Sequence, residues 1–191
     1  MRLLRQRDIS GIFQILPACA QSKEDKRHLK ELLFINPLTA EPYMPGSTIR
    51  TNLIRTAETS GKWKKEKAML FNESKRAETD KAAPLRLIVR DALPTAATAS
   101  ILKSLLEKFD LKVPPFLQKD ELFNIYFQYS TQPLCFELNI GVRIYEDSVL
   151  CEDDMIKCAL DILRAWIKSL PHDGEFSLHD LCLDGESVNF L

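Results

Sequence analysis

Residues 41–57, "EPYMPGSTIRTNLIRTA", combine a rigid turn with a helical pattern. Pro45 fixes φ, and Gly46 allows a close approach by a neighbouring backbone. Apolar residues then recur at four-residue spacing, which predicts one buried helical face: Ile49, Leu53 and Ala57. We expect a helix from about Thr48, capped by Ser47 or Thr48, because a short hydroxyl accepts a hydrogen bond from a first-turn N–H.

The same turn carries groups that suit an anion. The first N–H groups of a helix and its dipole favour negative charge, and Ser47 and Thr48 add donors beside the flexible Gly46. Arg50 supplies a guanidinium fork that fits phosphate, and Arg55 reinforces it from the next turn. This predicts a phosphate site, with helix capping and two solvated arginines as the open alternative.

The flanking segments predict a mixture of strands and exposed connections. Residues 7–16, "RDISGIFQIL", partly alternate and are rich in strand formers, so we expect a strand. The polar segment 17–30 predicts a mobile loop, and the apolar run 31–36 predicts a short strand-like piece. Residues 61–83 are charge-rich with little periodicity, which predicts an exposed insertion.

The segment 84–93, "PLRLIVRDAL", alternates and predicts a strand with two arginines on its polar face. Arg86 and Arg90 would contact phosphates or bases on that face. The alternative is that they pair with acids such as Asp91.

The second half predicts two helices and three strands. Helical periodicity covers 95–109 and 152–170, while strand patterns cover 121–130, 133–147 and, as "FSLHDLCL", the last strand. The apolar stripe of the second helix consists of Ile156, Leu160, Leu163 and Ile167.

Without its insertions this order is β-α-β-β-α-β, the α+β ferredoxin-like arrangement that RNA-recognition domains share. We expect a single RRM-like domain over 1–191, with a helical insertion and a thumb-like β-hairpin within 94–132. An antiparallel sheet with both helices on one face leaves its other face open, and RNA-recognition domains bind RNA on such a face.

Composition limits the classes of function. The 191 residues contain no apolar run of the roughly 18 residues that a membrane helix needs, and no apolar core of a secretory signal. Five scattered cysteines and three histidines lack ligand-like spacing, which predicts a reducing, cytoplasmic location without disulfides, metal or cofactor.

Charge is unevenly distributed along the chain. Residues 1–90 carry a net charge of +8 and residues 91–191 carry −9, which total −1. This indicates either a surface that faces a polyanion or head-to-tail association of copies, unless the charges intermix on the folded surface.

Two of these segments resemble a known family. "PYMPGSTIRTNLIRTA" is similar to the PYIPGSSLKGxLR segment of RAMP-superfamily proteins, the RNA-binding subunits of CRISPR effector complexes. "PLRLIVRDA", residues 84–92, resembles the sRLxVRDA strand of the backbone subunit of type III complexes. "FELNIGVRIYED" and residues 152–170 resemble a further strand and the last helix of that subunit, so the resemblance covers most of the chain.

The sequence departs from that family at several positions. The glycine after the basic residue of PGSSLKG is Thr51 here, LFG is "LFN", and the C-terminal glycine-rich loop is absent. Family members that cut target RNA carry an aspartate in the loop after the first strand. Lys30 stands at the matching position, although Asp25 lies in the same segment.

The resemblance implies a backbone subunit that polymerises along guide RNA (crRNA) and presents it to target RNA. The residues expected at the interface are Pro45, Gly46, Ser47, Thr48, Arg50, Arg55, Arg86 and Arg90. Its partners would be other copies of the chain and further CRISPR effector subunits, including a separate nuclease if this one is inert. One alternative is a target-RNA endoribonuclease that uses Asp25 and a divalent metal ion. The other is a protein-binding adaptor with the same fold.

Overall fold

The computed structural model describes residues 2–16, 23–63, 70–71, 86–110, 119–146, 151–170 and 176–188. Its helices and strands follow in this order: β1 Leu3–Ile15, α1 Lys23–Leu32, β2 Phe34–Ile35, β3 Pro42–Tyr43, α2 Gly46–Ser60, β4 Leu87–Val89, β5 Leu93–Pro94, α3 Ala96–Lys108, α4 Lys119–Tyr129, β6 Leu134–Tyr145, α5 Glu152–Ser169, β7 Phe176–Leu183 and β8 Glu186–Ser187.

The main sheet is antiparallel and has the strand order β4-β6-β1-β7-β8, with β5 also paired to β6. Without its short strands, the chain runs β1, α2, β4, β6, α5, β7. This is the α+β ferredoxin-like order predicted from the sequence. The central strands β1 and β6 pair from Ile15 opposite Leu134 to Leu3 opposite Tyr145.

Alternation in the central strands separates a buried face from an open face. In β1, Ile9, Phe13 and Ile15 are buried, whereas Ser10 and Gln14 between them are half-buried. The buried face packs against α2 and α5, which also contact each other. The Phe13 ring stacks on Trp166 of α5, with 5.9 Å between the ring centroids.

The two packed helices use the apolar faces that their sequences predict. Ile49, Leu53 and Ala57 of α2 are buried, as are Ile156, Leu160 and Leu163 of α5, whereas Ile167 is partly buried. The start of α2 differs from the prediction, because Gly46 is its first residue and Pro45 occupies the cap position without a side-chain hydrogen bond. Capping by Ser47 or Thr48 was therefore wrong.

Two further predictions were wrong. Residues 23–30 belong to α1 rather than to a loop. Residues 121–129 belong to α4 rather than to a strand, so they cannot form one arm of a thumb-like β-hairpin with β6.

The helix α4 is stabilised by tertiary contacts. Leu122 and Tyr126 lie four residues apart and are both buried, and the Tyr126 hydroxyl donates to the carbonyl of Ala40 at 2.7 Å. Burial raises the pKa of the Tyr126 phenol, and Glu41 adds to this effect. The expected insertion 61–83 falls almost wholly outside the described residues, apart from 61–63 and the buried Leu70 and Phe71.

No helix among the described residues is long and apolar enough to cross a membrane. In the same part of the chain, His, Cys, Asp and Glu form no group of three or more that could hold a metal ion.

Candidate nucleic-acid interface

The turn before α2 and the strand segment around β4 lie against each other. Met44 and Ala92 form an antiparallel bridge, with N–O distances of 3.0 and 2.8 Å, and both residues are fully buried. The two sequence segments that carry the family resemblance are therefore one structural unit.

Gly46 is the point of closest approach in this unit. A Cβ atom added at Gly46 would lie 2.3 Å from the carbonyl oxygen of Val89, so a side chain has no space. The Gly46 N–H donates to the carboxylate of Asp91 at 2.7 Å. The backbone that approaches Gly46 closely is thus that of β4 and not that of a bound nucleic acid. Asp91 places a negative charge of the protein itself at the start of α2.

Arg50 extends from α2 toward the same strand. Its guanidinium donates to the carbonyls of Leu87, at 3.1 Å, and Phe71, at 3.0 Å, and lies 5.6 Å from the centroid of the Phe71 ring. Burial lowers the pKa of Arg50. The side chain therefore ties α2 to β4 and to Phe71.

Arg86 and Arg90 alternate along the chain with Leu87 and Val89, which pack in the core, but Arg86 is itself buried and does not lie on an open surface. Arg86 is 9 % exposed, and its guanidinium lies 5.2 Å from the centroid of the Tyr145 ring. Arg90 is exposed, and its backbone N–H donates to the carbonyl of Asn139. Neither arginine lines the groove described next.

Ser47, Thr48 and Arg55 line a groove of about 780 Å³ between α1, α2 and α5. Two residues of α1, His28 and Glu31, form its opposite rim. Its apolar wall consists of Leu32, Ala165, Trp166 and Leu170. The groove therefore brings together three of the eight predicted RNA-binding residues. It does not include the other five, which are Pro45, Gly46, Arg50, Arg86 and Arg90.

The polar wall of the groove is built from two rows of α2 at four-residue spacing. One row is Ser47, Thr51, Arg55 and Thr59, and the other is Thr48, Asn52, Thr56 and Ser60. Neither row contains an acid or a large apolar side chain. Sequence reasoning predicted Ser47, Thr48 and Arg55 but missed the other members. The spacing of hydroxyl and amide side chains along the helix was a signal that could have identified them.

Trp166 lies at the apolar wall and carries a buried donor without a partner. The residue is 2 % exposed, and its indole Nε1 has no hydrogen-bond partner among the described residues. Burying an unpaired donor costs about 1–3 kcal/mol, so such an atom beside a groove requires an explanation.

The segment that contains Asp25 and Lys30, the residues considered for catalysis, is helical. Asp25 belongs to α1, and the Lys30 ammonium of the same helix lies 2.6 Å from the Asp120 carboxylate of α4. This ion pair connects α1 to α4 and accounts for Lys30 structurally.

Comparisons with known proteins match the fold rather than the sequence. No family model matches the chain, and no curated protein does. A solved structure described as the Csm3-Csm4 subcomplex in the type III-A CRISPR-Cas interference complex contains a chain of similar fold, with a TM-score of 0.55 and 13 % identity. The match covers 96 % of this chain and 80 % of the other. The α+β, ferredoxin-like fold is thereby shown.

Proposed function

We propose that this chain is a guide-RNA-binding subunit of a CRISPR ribonucleoprotein, and that it holds the guide by its sugar-phosphate backbone in the groove beside α2. One observation carries the proposal: hydroxyls, an amide and an arginine follow one side of α2 from its first turn to its end, along an open groove. The fold shared with a chain of a CRISPR interference complex supports it.

The chemistry of the groove suits a strand that is recognised without reading its bases. Arg55 is exposed and supplies positive charge, and its planar fork fits a phosphate. His28 lies across the groove, although its imidazole is 3.8 Å from Glu31, so Arg55 is the main cationic group that we assign. Sequence specificity would then come from pairing between guide and target RNA.

In the same proposal, copies of the chain associate head to tail along the guide and contact other effector subunits. A heterologous contact of this kind grows until another subunit caps it. The contrast in charge between the two halves of the sequence is not an argument for this head-to-tail association. Ion pairs such as Arg7–Glu152 and Lys30–Asp120 join the two halves within one molecule.

Arg55→Ala tests the groove. We expect the affinity for single-stranded RNA to fall about threefold to tenfold for every sequence, and the slope of log K against log salt to fall by about 0.7, because one phosphate contact is lost. Fluorescence anisotropy with unrelated 20-mers at several salt concentrations measures both quantities.

Lys103→Ala on α3 is the matched control, since it removes one exposed positive charge that does not line the groove. An equal loss in the two variants would mean that only net charge matters. Unchanged affinity and slope in Arg55→Ala would refute the proposed path of the RNA.

A further inference from the structure

The hydroxyls in the second half of the groove donate hydrogen bonds within α2. Thr56 Oγ1 donates to the carbonyl of Asn52 at 2.9 Å, Thr59 Oγ1 to that of Arg55 at 2.9 Å, and Ser60 Oγ to that of Ala57 at 3.2 Å. A hydroxyl has one hydrogen and two lone pairs, so these oxygens can only accept from a ligand.

Asn52 adds to this pattern. Its Nδ2 donates one hydrogen to the carbonyl of Thr48 at 2.9 Å, which leaves the amide oxygen as an acceptor and the second Nδ2 hydrogen as a donor. The wall formed by Asn52, Thr56, Thr59 and Ser60, which we call the acceptor wall, therefore favours a ligand group that donates a hydrogen bond. Its three hydroxyls do not favour a phosphate oxygen, which can only accept.

The two ends of the groove thus differ in chemistry. Ser47 and Thr48 lie at the positive end of the α2 dipole, whereas Thr56 is eight residues further along, or about 12 Å at the rise of an α-helix. An extended ligand could place one phosphate near Ser47 and Thr48 and another beside Arg55, which directly precedes Thr56, with a neutral donor against the acceptor wall.

We propose that the acceptor wall recognises ribose 2′-hydroxyl groups and so makes the groove selective for RNA over DNA. The inference rests on the proposed function and adds the basis of its selectivity. The 2′-hydroxyl can donate, and it is the group that distinguishes RNA from DNA. The apolar wall, including Trp166 and Leu170, faces the same groove and offers a surface for the carbon atoms of the sugar.

Three oligonucleotides of one sequence test this proposal: single-stranded RNA, DNA and 2′-O-methyl RNA, the last of which keeps the oxygen but cannot donate. We expect RNA to bind about tenfold more tightly than the other two, in line with two ordinary hydrogen bonds. The double variant Thr56→Val, Thr59→Val keeps side-chain shape. It should bind RNA as weakly as the wild-type protein binds DNA, while its affinity for DNA stays unchanged.

Ser104→Ala is the matched control, because Ser104 Oγ donates to the carbonyl of Ser100 in the same way but on α3. Its RNA preference should equal that of the wild type. Thermal unfolding of each variant checks that the fold is retained, and Ser60→Ala provides a milder change in the wall if the double variant unfolds.

The outcomes separate the two levels of the proposal. Equal, salt-dependent binding of all three oligonucleotides would leave the phosphate groove in place and overturn the acceptor wall. The acceptor wall would also be overturned if the double valine variant still bound RNA more tightly than DNA. The same holds if 2′-O-methyl RNA bound the wild type as tightly as RNA does. Binding of none of them would refute the proposed function, and the inference with it.

Discussion

At Gly46, α2 comes so close to β4 that only a hydrogen atom fits. The added Cβ atom would lie 2.3 Å from the Val89 oxygen and 2.9 Å from two neighbouring backbone carbons, none of which can move as a side chain would. The glycine is thus needed for packing between a helix and a strand, and its N–H donates a hydrogen bond to the Asp91 carboxylate.

Gly46→Ala should therefore lower the free energy of unfolding by about 1–3 kcal/mol through overpacking. Urea denaturation followed by circular dichroism measures it. Ser47→Ala, at the next and exposed position, should change the value by less than about 0.5 kcal/mol. Equal midpoints for the two variants would mean that α2 can shift away from β4 at little cost.

Arg50 and Arg55 are five residues apart and have different roles. Arg50 is fixed by two backbone carbonyls, whereas Arg55 is exposed in the groove. Arg50→Ala should lower the free energy of unfolding by about 1–3 kcal/mol, because the carbonyls of Leu87 and Phe71 lose their donor.

Arg50→Lys should remain destabilised, since a single ammonium cannot reproduce the geometry of the fork. The midpoint of urea unfolding of Arg55→Ala should equal that of the wild type. If Arg50→Ala were as stable as Arg55→Ala and only bound RNA less well, Arg50 would be a ligand of RNA and not a structural tie.

Among the elements, β1, α5 and the β7–β8 turn are joined by one arginine. The Arg7 guanidinium donates to Glu152 at the start of α5 and to Asp184 in the turn, while Asp184 also accepts from the backbone N–H of Asp8 at 2.8 Å. The hydrogen bond from Asp8 is the largest cause that holds the pKa of Asp184 below its ordinary value of 3.8, and Arg7 adds to it.

A carboxyl whose pKa is lower in the folded state stabilises the fold above its ordinary pKa, and this contribution is lost as the pH falls through the lowered value. We expect the wild type to lose more unfolding free energy than Asp184→Asn between about pH 6 and about pH 2. Glu186→Gln, in the same hairpin, should follow the wild-type curve. Parallel curves for the wild type and Asp184→Asn would contradict the coupling.

For the whole molecule, the sheet interleaves the two halves of the chain. β1 lies between β6 and β7, and β4 lies outside β6, so strands from the basic half alternate with strands from the acidic half. Among the described residues, charges of the two halves meet where Arg7 pairs with Glu152 and Asp184.

Nucleic acid should co-purify with the intact chain. At low salt we expect a 260/280 nm absorbance ratio above that of protein alone, and a return to that value after washing in about 1 M salt, because counterion release drives the binding. RNase treatment should abolish the excess absorbance. A ratio of protein alone at low salt would instead favour the protein-binding adaptor.

The periodicity of the sequence by itself determined most of the long helices and strands. The period of two in β1, β6 and β7 and the helical period in α2, α3 and α5 were readable, because each reflects which side chains of one segment meet the core. The order of these elements was sufficient to predict the ferredoxin-like sheet. The same pattern was ambiguous in α4, where apolar and aromatic residues at most positions fit either a strand or a buried helix.

The tertiary structure alone decided what the residues of the turn contact. Gly46 and Asp91 are 45 residues apart, and Arg50 is 37 and 21 residues from the two carbonyls that it binds. No local pattern encodes such partners, because a donor selects whichever acceptor the packing of helix on sheet brings within 3 Å or so. For this reason the sequence could locate an arginine-rich turn, but only the fold could separate the structural Arg50 from Arg55, which faces the groove.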